Sequence, residues 1–354
     1  MGVRLSVIVP VHNATAFLDR CLRSLSRSTF RDYECIVVDD ASTDETAAVA
    51  RRYDVTLVSL EQNGGPARAR NRGAEQAHGE VLVFIDSDVC VHPDTLGRLD
   101  AHFRDHPGTD AVIGSYDDAP ADRGFISQYK NLFHHYVHQQ SSSEGWTFWA
   151  GCGAIRRSVF AQLGGFDESY RRPCVEDIEL GFRLRAQGRR IDLDPAIQVT
   201  HLKRWTFWGL LRTDVRDRGI PWFLLMLRDR TMPPDLNVTV AHRVSVMLVF
   251  VLMALGGCLL ADALAGVRMA LPLSGVAGGG IVAVAGALLV LNYDFYRFYV
   301  RRRGFAFAVA TVPMHWFYYA YCGVSVGVGL SVYLWGKLTP RRDPSGLPSS
   351  GALR

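Results

Sequence analysis

Cysteine is scarce in this chain and forms no framework: there are seven, an odd number, and no Cys-x-x-Cys pair. That pattern excludes a disulfide-stapled secreted module and a cysteine-built zinc site, and it fits a reducing compartment. Net charge is equally slight, +4, too little for the basic footprint of a nucleic-acid binder. The amino terminus shows no signal-peptide pattern, because residues 1–13 run straight into a strand, so the soluble part is expected on the cytoplasmic side. Charge of either sign is also missing, but only locally. Up to about Asp235 charged residues recur every few positions, whereas residues 244–261, 269–293 and 304–336 contain no Asp, Glu, Lys or Arg.

Each of these stretches exceeds or approaches the roughly 20 apolar residues that cross a hydrocarbon core of about 30 Å as a helix. They are apolar all round instead of striped, which argues against buried helices of a soluble domain. The chain is therefore expected to be a multi-pass protein of the plasma (inner) membrane with about three spans. Pro313, His315 and the aromatic run over 305–321 place the first part of the third stretch at the interface. Arg228, Arg230 and Arg243 precede the first span, and Arg297, Arg301, Arg302 and Arg303 lie between the second and third, which orients these segments to the cytoplasm. Between His201 and Arg243 there are eight Lys or Arg against four Asp, a surplus of four. Such a basic collar suits anionic headgroups or a lipid phosphate. Trp205, Phe207, Trp208, Leu210, Leu211, Trp222 and Phe223 are interleaved with these charges, as in amphipathic helices lying in the interface. The organisation expected is a soluble α/β domain over 1–202, interfacial helices over 203–238, a transmembrane region over 239–337 and a disordered tail over 338–354.

Within the soluble part, short apolar runs alternate with helical patterns, which predicts a mostly parallel sheet with crossover helices. Strands are expected over 5–9, 34–38, 55–60 and 81–85, with helices over 14–26 and 43–52. Asn63-Gly64-Gly65-Pro66 opens another helix, running to about Gln76, because Gly allows the turn and Pro suits a first helical position. In open α/β sheets ligands bind at the carboxyl ends of the strands. Here those ends are acidic. Asp86-Ser87-Asp88 follows Val81-Leu82-Val83-Phe84-Ile85, and two carboxylates there suit a hard divalent cation, Mg²⁺ or Mn²⁺, held against a diphosphate. Asp39 and Asp40 follow Ile36-Val37-Val38 and are positioned to accept hydrogen bonds from a nucleoside, while Asp44 reads as a helix cap.

Arg68, Arg70 and Arg72 sit at the anion-favouring start of the Gly-Gly-Pro helix, but residues two apart diverge, and Arg70 is the one expected to face a ligand. Glu176 and Asp177 open a further helical pattern; such residues are either dipole partners or, at a ligand mouth, a general base. His201 ends another predicted strand and is a candidate third metal ligand, whereas His134, His135 and His138 read as parts of an aromatic helix.

Taken together, Val7-Ile8-Val9-Pro10-Val11-His12-Asn13, Asp39-Asp40-Ala41-Ser42-Thr43-Asp44, Asn63-Gly64-Gly65-Pro66 through Ala69-Arg70-Asn71-Arg72-Gly73, Asp86-Ser87-Asp88, Gly164-Gly165-Phe166 and Glu176-Asp177-Ile178-Glu179-Leu180 resemble the family 2 glycosyltransferases of the GT-A fold. The resemblance runs over about residues 4–205. It implies an inverting transferase with a nucleotide-sugar donor, expected to be of the UDP type, and a divalent cation. It places Pro10, His12, Asn13, Asp39, Asp40, Arg70, Asp86 and Ser87 around the donor, Asp88 with His201 on the metal, and Asp177 beside Glu176 as the base. Membrane relatives carry a Gln or Arg, two residues, then Arg-Trp; His201-Leu202-Lys203-Arg204-Trp205 is similar with His in first place but follows Asp177 so closely that His201 reads as the metal ligand instead. Asp214 through Trp222 falls nearer the expected place, with Arg216 and Arg218 as its candidates. Gly151, Arg204, Arg216, Arg218 and Trp222 are the expected acceptor or diphosphate contacts, and a lipid-linked acceptor such as a polyprenyl phosphate or glycolipid is implied, with a homo-oligomer compatible. A processive polysaccharide synthase and a non-catalytic nucleotide-sugar-binding scaffold are the alternatives.

Overall fold

The computed structural model describes residues 3–233, 239–265 and 271–338; the tail expected to be disordered lies outside them. The described residues fall into two compact units, residues 3–210 with Pro233, and residues 211–232 with 239–265 and 271–338.

The first unit is built on one eight-stranded sheet. Its strands are β1 (Leu5–Val11), β2 (Tyr33–Asp39), β3 (Thr56–Ser59), β4 (Val81–Ile85), β5 (Val89–Val91), β6 (Ala111–Tyr116), β7 (Cys152–Arg156) and β8 (Ile191–His201). Their order is β3-β2-β1-β4-β7-β6-β8-β5. The neighbours β3, β2, β1 and β4 run parallel, whereas β7 is antiparallel to both β4 and β6, and β5 is antiparallel to β8. The sheet is therefore mixed, with its parallel half where the crossover pattern predicts it.

Every residue of β4 is buried, and β1 is buried but for Pro10, which is why these strands read as unbroken apolar runs covered on both faces. On one face, α1 (Thr15–Ser26) sets Leu18, Cys21, Leu22 and Leu25 against Val7, Val9, Val37 and Val83. On the other, α3 (Pro66–Glu75) packs Ala67 and Ala69 with Ile8, Ile36, Leu82 and Phe84. Gly73 sets that distance, since a Cβ there would stand 2.4 Å from Ile8 Cγ2. The remaining helices are α2 (Thr46–Ala50), shorter than its sequence pattern, α4 (Thr95–Asp105), α5 (Phe125–Gln140), α6 (Arg157–Gln162) and α7 (Glu176–Ala186). The chain leaves β1 towards β2 on one side while β4 lies on the other. That reversal of strand order leaves a crevice at the carboxyl ends of β1 and β4, where Asn13 and Asp86 begin their loops.

After α8 (Phe207–Arg212), the second unit opens with a π-helical segment, Thr213–Gly219, followed by α9 (Ile220–Asp229). Then come α10 (Val240–Ala265), α11 (Leu271–Leu291), α12 (Tyr293–Arg303) and α13 (Phe305–Leu338). Two of these, over Val240–Leu264 and Phe305–Leu338, are long and apolar enough to cross a membrane. The pair Gly275–Leu291 and Tyr293–Arg303, bent by 65°, makes a third if it counts as one span. Asn292 stands at the bend and ties the helices together: its amide donates to Ser245 Oγ at 3.1 Å and to the Leu288 carbonyl at 2.9 Å, and it accepts from the Tyr319 hydroxyl at 2.6 Å. Pro313 does not interrupt α13, which stays helical throughout. Buried Asp214 of the π-helical segment accepts from the Tyr321 hydroxyl at 2.7 Å.

Candidate active site

The loops after β1 and β2 are stitched to each other. Asn13 adopts φ +48°, and its side-chain carbonyl accepts the Thr43 N–H at 2.8 Å while its own N–H donates to Ser42 Oγ at 2.9 Å. His12 Nδ1 is 2.8 Å from the Asp40 carbonyl oxygen. Asp39 accepts the Ser42 N–H at 3.0 Å and so shapes the turn around Ala41, which has φ +57°. Asp44 caps as its position suggested: it accepts from the backbone and hydroxyl groups of Thr15 and Thr46. Those hydrogen bonds, led by the Thr46 hydroxyl, pull its carboxyl down to about 2.

Asp40 is buried, and its two carboxylate oxygens accept the N–H groups of Gly64 and Gly65, each at 2.8 Å. It thereby fixes the turn that starts α3. Gly65 has φ +86°, and a Cβ on it would lie 2.5 Å from the Arg171 carbonyl carbon, so the glycine lets the loop before α7 lie against this turn.

From α3, Arg70 is the buried one of the three arginines. Its guanidinium donates to Asp86 Oδ1 at 2.8 Å and to Glu176 Oε1 at 2.9 Å, and it lies over the Phe166 ring at 5.4 Å. Burial works against its charge, but Asp86, Glu176 and Asp177 outweigh burial and raise its pKa further. Arg70 thus joins three loops that are remote in sequence, with Glu176 also accepting the Cys174 N–H at 2.8 Å.

Asp177, one position further along α7, is oriented by two backbone donors: the Ala150 N–H reaches Oδ2 at 3.2 Å and the Ile178 N–H reaches Oδ1 at 2.8 Å. Ala150 sits between Trp149 and Gly151, and a Cβ on Gly151 would come within 2.6 Å of the Trp149 ring. The indole therefore lies across the Gly151 backbone, with Tyr116 edge-on at 4.8 Å and His138 at 5.2 Å.

Asp88 and His201 come together across the edge of the sheet. Pairing of β5 with β8 sets Val89 opposite His201, and the Leu202 N–H donates to the Asp88 carbonyl at 2.8 Å. Asp88 Oδ2 is then 3.4 Å from His201 Nε2. Burial pushes the Asp88 carboxyl up, but His201 and the charge of Lys203 outweigh it and hold the carboxyl below its usual range. Asp86 goes the other way, raised by burial against the pull of Arg70, with the charge of Asp88 adding to the rise.

These groups fit a divalent cation. A carboxylate oxygen held ionised and an imidazole nitrogen 3.4 Å away match two ligand atoms on one hard ion, which stand about 3 Å apart when each is about 2.1–2.2 Å from it. Among the described residues no three His, Cys, Asp or Glu side chains converge as a complete ligand set.

Arg204 is exposed in the first unit, and Lys203 lies over the Trp205 ring at 4.2 Å. Arg216, Arg218 and Trp222 belong to the second unit, where Arg216 is exposed and Arg218 and Trp222 are partly buried. His134 and His138 lie in the aromatic packing of α5, His134 stacked on Tyr116. Sequence reasoning missed Asn131, Tyr116 and Trp149. Only the aromatic density of Trp146-Thr147-Phe148-Trp149 carried a signal for any of them.

Residues 6–164 match the family described as glycosyl transferase family 2. Among relatives, validoxylamine A glucosyltransferase of Streptomyces hygroscopicus is 31% identical over 219 residues, which is 52% of this chain and 52% of that protein. The poly(ribitol-phosphate) β-N-acetylglucosaminyltransferase TarS of Staphylococcus aureus is 36% identical over 111 residues, 29% of this chain and 19% of TarS. The chain thus spans about half or less of these relatives' lengths. In fold it resembles the mannosyltransferase PcManGT of Pyrobaculum calidifontis, solved in complex with GDP-Man and Mn2+, with a TM-score of 0.58 and 21% identity over 91% of this chain and 86% of that one. The chain carries a family 2 glycosyltransferase domain of GT-A fold in its first unit.

Proposed function

We propose that this protein is an inverting, cation-dependent glycosyltransferase that moves a sugar from a nucleotide donor to a lipid-linked acceptor at the cytoplasmic face of the plasma membrane. The observation that carries the reading is the placing of Arg70, Asp86 and Glu176 in one ion cluster, with Asp177 next along α7 and the Asp88–His201 pair just past Asp86. All stand at the carboxyl-end crevice of the sheet. The glycosyltransferase names of the relatives, and GDP-Man with Mn2+ in the fold neighbour, support the donor class and the cation.

The donor's nucleoside lies by the loops of Asp39, Asp40, His12 and Asn13, and Arg70 keeps Asp86 oriented towards its ribose and sugar. Asp177, held by the N–H groups of Ala150 and Ile178, accepts the proton of the acceptor hydroxyl as its oxygen attacks the anomeric carbon. Attack opposite the departing diphosphate inverts that centre. An acceptor phosphate is already ionised and needs Asp177 less. Asp88 and His201 would hold the cation, which when bound supplies positive charge to the diphosphate leaving group. Arg204 and Gly151, both in the first unit, serve acceptor or diphosphate in this reading. The apolar helices motivate the lipid, since Leu264 and Val290 are 79% and 77% exposed, as membrane-facing side chains are.

The test is transfer of radiolabelled sugar from UDP- and GDP-sugars into extracted lipid by purified Asp177→Asn and Asp88→Ala proteins. Loss of transfer in both, with retained nucleotide binding in Asp177→Asn, is expected. Wild-type turnover in both rules the assignment out.

A further inference from the structure

We infer that Asn131 is the positioning residue of the cation site, setting the tautomer in which His201 offers its Nε2 lone pair to the ion. This rests on the Asp88–His201 reading above and adds to it the residue that makes the histidine a ligand.

The imidazole of His201 is held by a stacked ring and by an amide. Its ring stacks on Tyr116 with centroids 4.5 Å apart and planes 13° from parallel. That fixes the ring plane but not the position of the proton. The proton is fixed by Asn131 of α5, whose Oδ1 is 2.6 Å from His201 Nδ1. A carbonyl oxygen can only accept, so Nδ1 carries the hydrogen, and in the neutral ring Nε2 is then the lone-pair atom. Nε2 is the atom facing Asp88 Oδ2, at 3.4 Å. Asn131 and His201 are both buried, at 2% and 5% exposure, so water does not substitute for this contact.

The Nδ2 of Asn131 is buried with no hydrogen-bond partner among the described residues. Such a group calls for an explanation, and the contact of Oδ1 with His201 supplies one. The opposite arrangement, with an amide N–H directed at Nδ1, would move the proton to Nε2 and turn His201 into a donor to Asp88, which blocks ligation. Ligating histidines usually depend on such an acceptor behind them. The element that supplies it here is a helix some 70 positions upstream, joined to β8 by this contact.

The experiment titrates full-length protein in detergent with Mn²⁺ in the presence of UDP and follows free Mn²⁺ by electron paramagnetic resonance. Asn131→Leu removes the acceptor and should weaken Mn²⁺ binding about 10- to 100-fold. Asn131→Asp keeps an acceptor of the same shape and should bind Mn²⁺ at least as tightly as wild type. Unchanged affinity in Asn131→Leu overturns the inference, as does an equal loss in both variants, which is what a purely structural residue would give. If Asn131→Leu does not fold, Asn131→Asp decides alone: retained affinity supports the inference and lost affinity overturns it. His201→Ala separates the two levels. Should it bind Mn²⁺ like wild type, the cation site itself is misplaced; should it lose binding while Asn131→Leu does not, only the role of Asn131 falls.

Discussion

Replacing Arg70 with leucine should be among the most destabilising single changes in the first unit, and its size follows from the ion cluster. The guanidinium is the shared partner of Glu176, whose side chain is 5% exposed, and of Asp86, whose side chain is 34% exposed. Removing it leaves Glu176 buried with only the Cys174 N–H as a hydrogen-bond donor named above. Breaking a buried ion pair by deleting one member typically costs about 3–5 kcal/mol. Asp86, only partly buried at the crevice, adds less to that figure than Glu176 does. For a unit of about this size, each kcal/mol lowers the transition by roughly 2–4 °C, so a fall of about 6–20 °C is expected. Cys21, Cys35 and Cys152 are buried in this unit and serve as reporters of its opening. Their labelling against denaturant, in the full-length protein, measures the loss without assuming that both units unfold together. The double variant Arg70→Leu, Glu176→Leu should recover most of the stability, since an apolar pair needs no compensation. A loss below about 1 kcal/mol in the single variant, or a further loss in the double, would refute the reasoning.

Four further outcomes are expected. Asp177→Asn should lower kcat by about 10²- to 10⁴-fold on a hydroxyl acceptor with nucleotide affinity unchanged, measured by steady-state transfer and calorimetry. Gly65→Ala should destabilise the first unit by about 1–3 kcal/mol in the same labelling assay, because the added Cβ meets the Arg171 backbone at a positive φ; a change within about 0.5 kcal/mol contradicts the packing. His92 is held above its usual pKa by its hydrogen bond to Asp117 at 2.9 Å, against burial. Its contribution is complete below the unfolded value of about 6.5 and disappears as pH rises through the raised one. Wild type should therefore exceed His92→Gln in stability at pH 6 and converge on it at alkaline pH, and a gap that widens with pH contradicts the pairing. Gly73→Val should disrupt α3 packing more than Gly65→Ala does, since Ile8 and Val38 leave no room there.

The parallel half of the sheet was legible because its strands are covered on both faces and so appear as unbroken apolar runs. Arg70 could be chosen from three arginines because alternate residues of a helix diverge. Pairings that depend on strand order were not legible. Asp40 meets Gly64 and Gly65 only after a crossover returns the chain to the sheet. His201 was expected beside Asp88 as a shared metal site, but the cause of their meeting, β5 running antiparallel to β8, was not, and Asn131 meets His201 from a helix whose pattern speaks only of aromatics. The antiparallel strands β5 and β7 were not expected, because β5 is only three residues long and β7, Cys-Gly-Ala-Ile-Arg, lacks the unbroken apolar run that marks β4. In the second unit, the absence of charge marked the apolar stretches but not the break at Asn292, a polar residue that bonds to three partners.

The central claim is that Asp88 and Asp177 serve one transfer reaction from opposite sides of the donor sugar. Single-turnover transfer of radiolabelled sugar by full-length protein, with Mn²⁺ varied, tests it most directly. Asp88→Ala should need far more Mn²⁺ to reach a given rate, whereas Asp177→Asn should keep the wild-type Mn²⁺ dependence at a greatly lowered rate. Identical Mn²⁺ dependence in wild type and Asp88→Ala, with full turnover in Asp177→Asn, would contradict it.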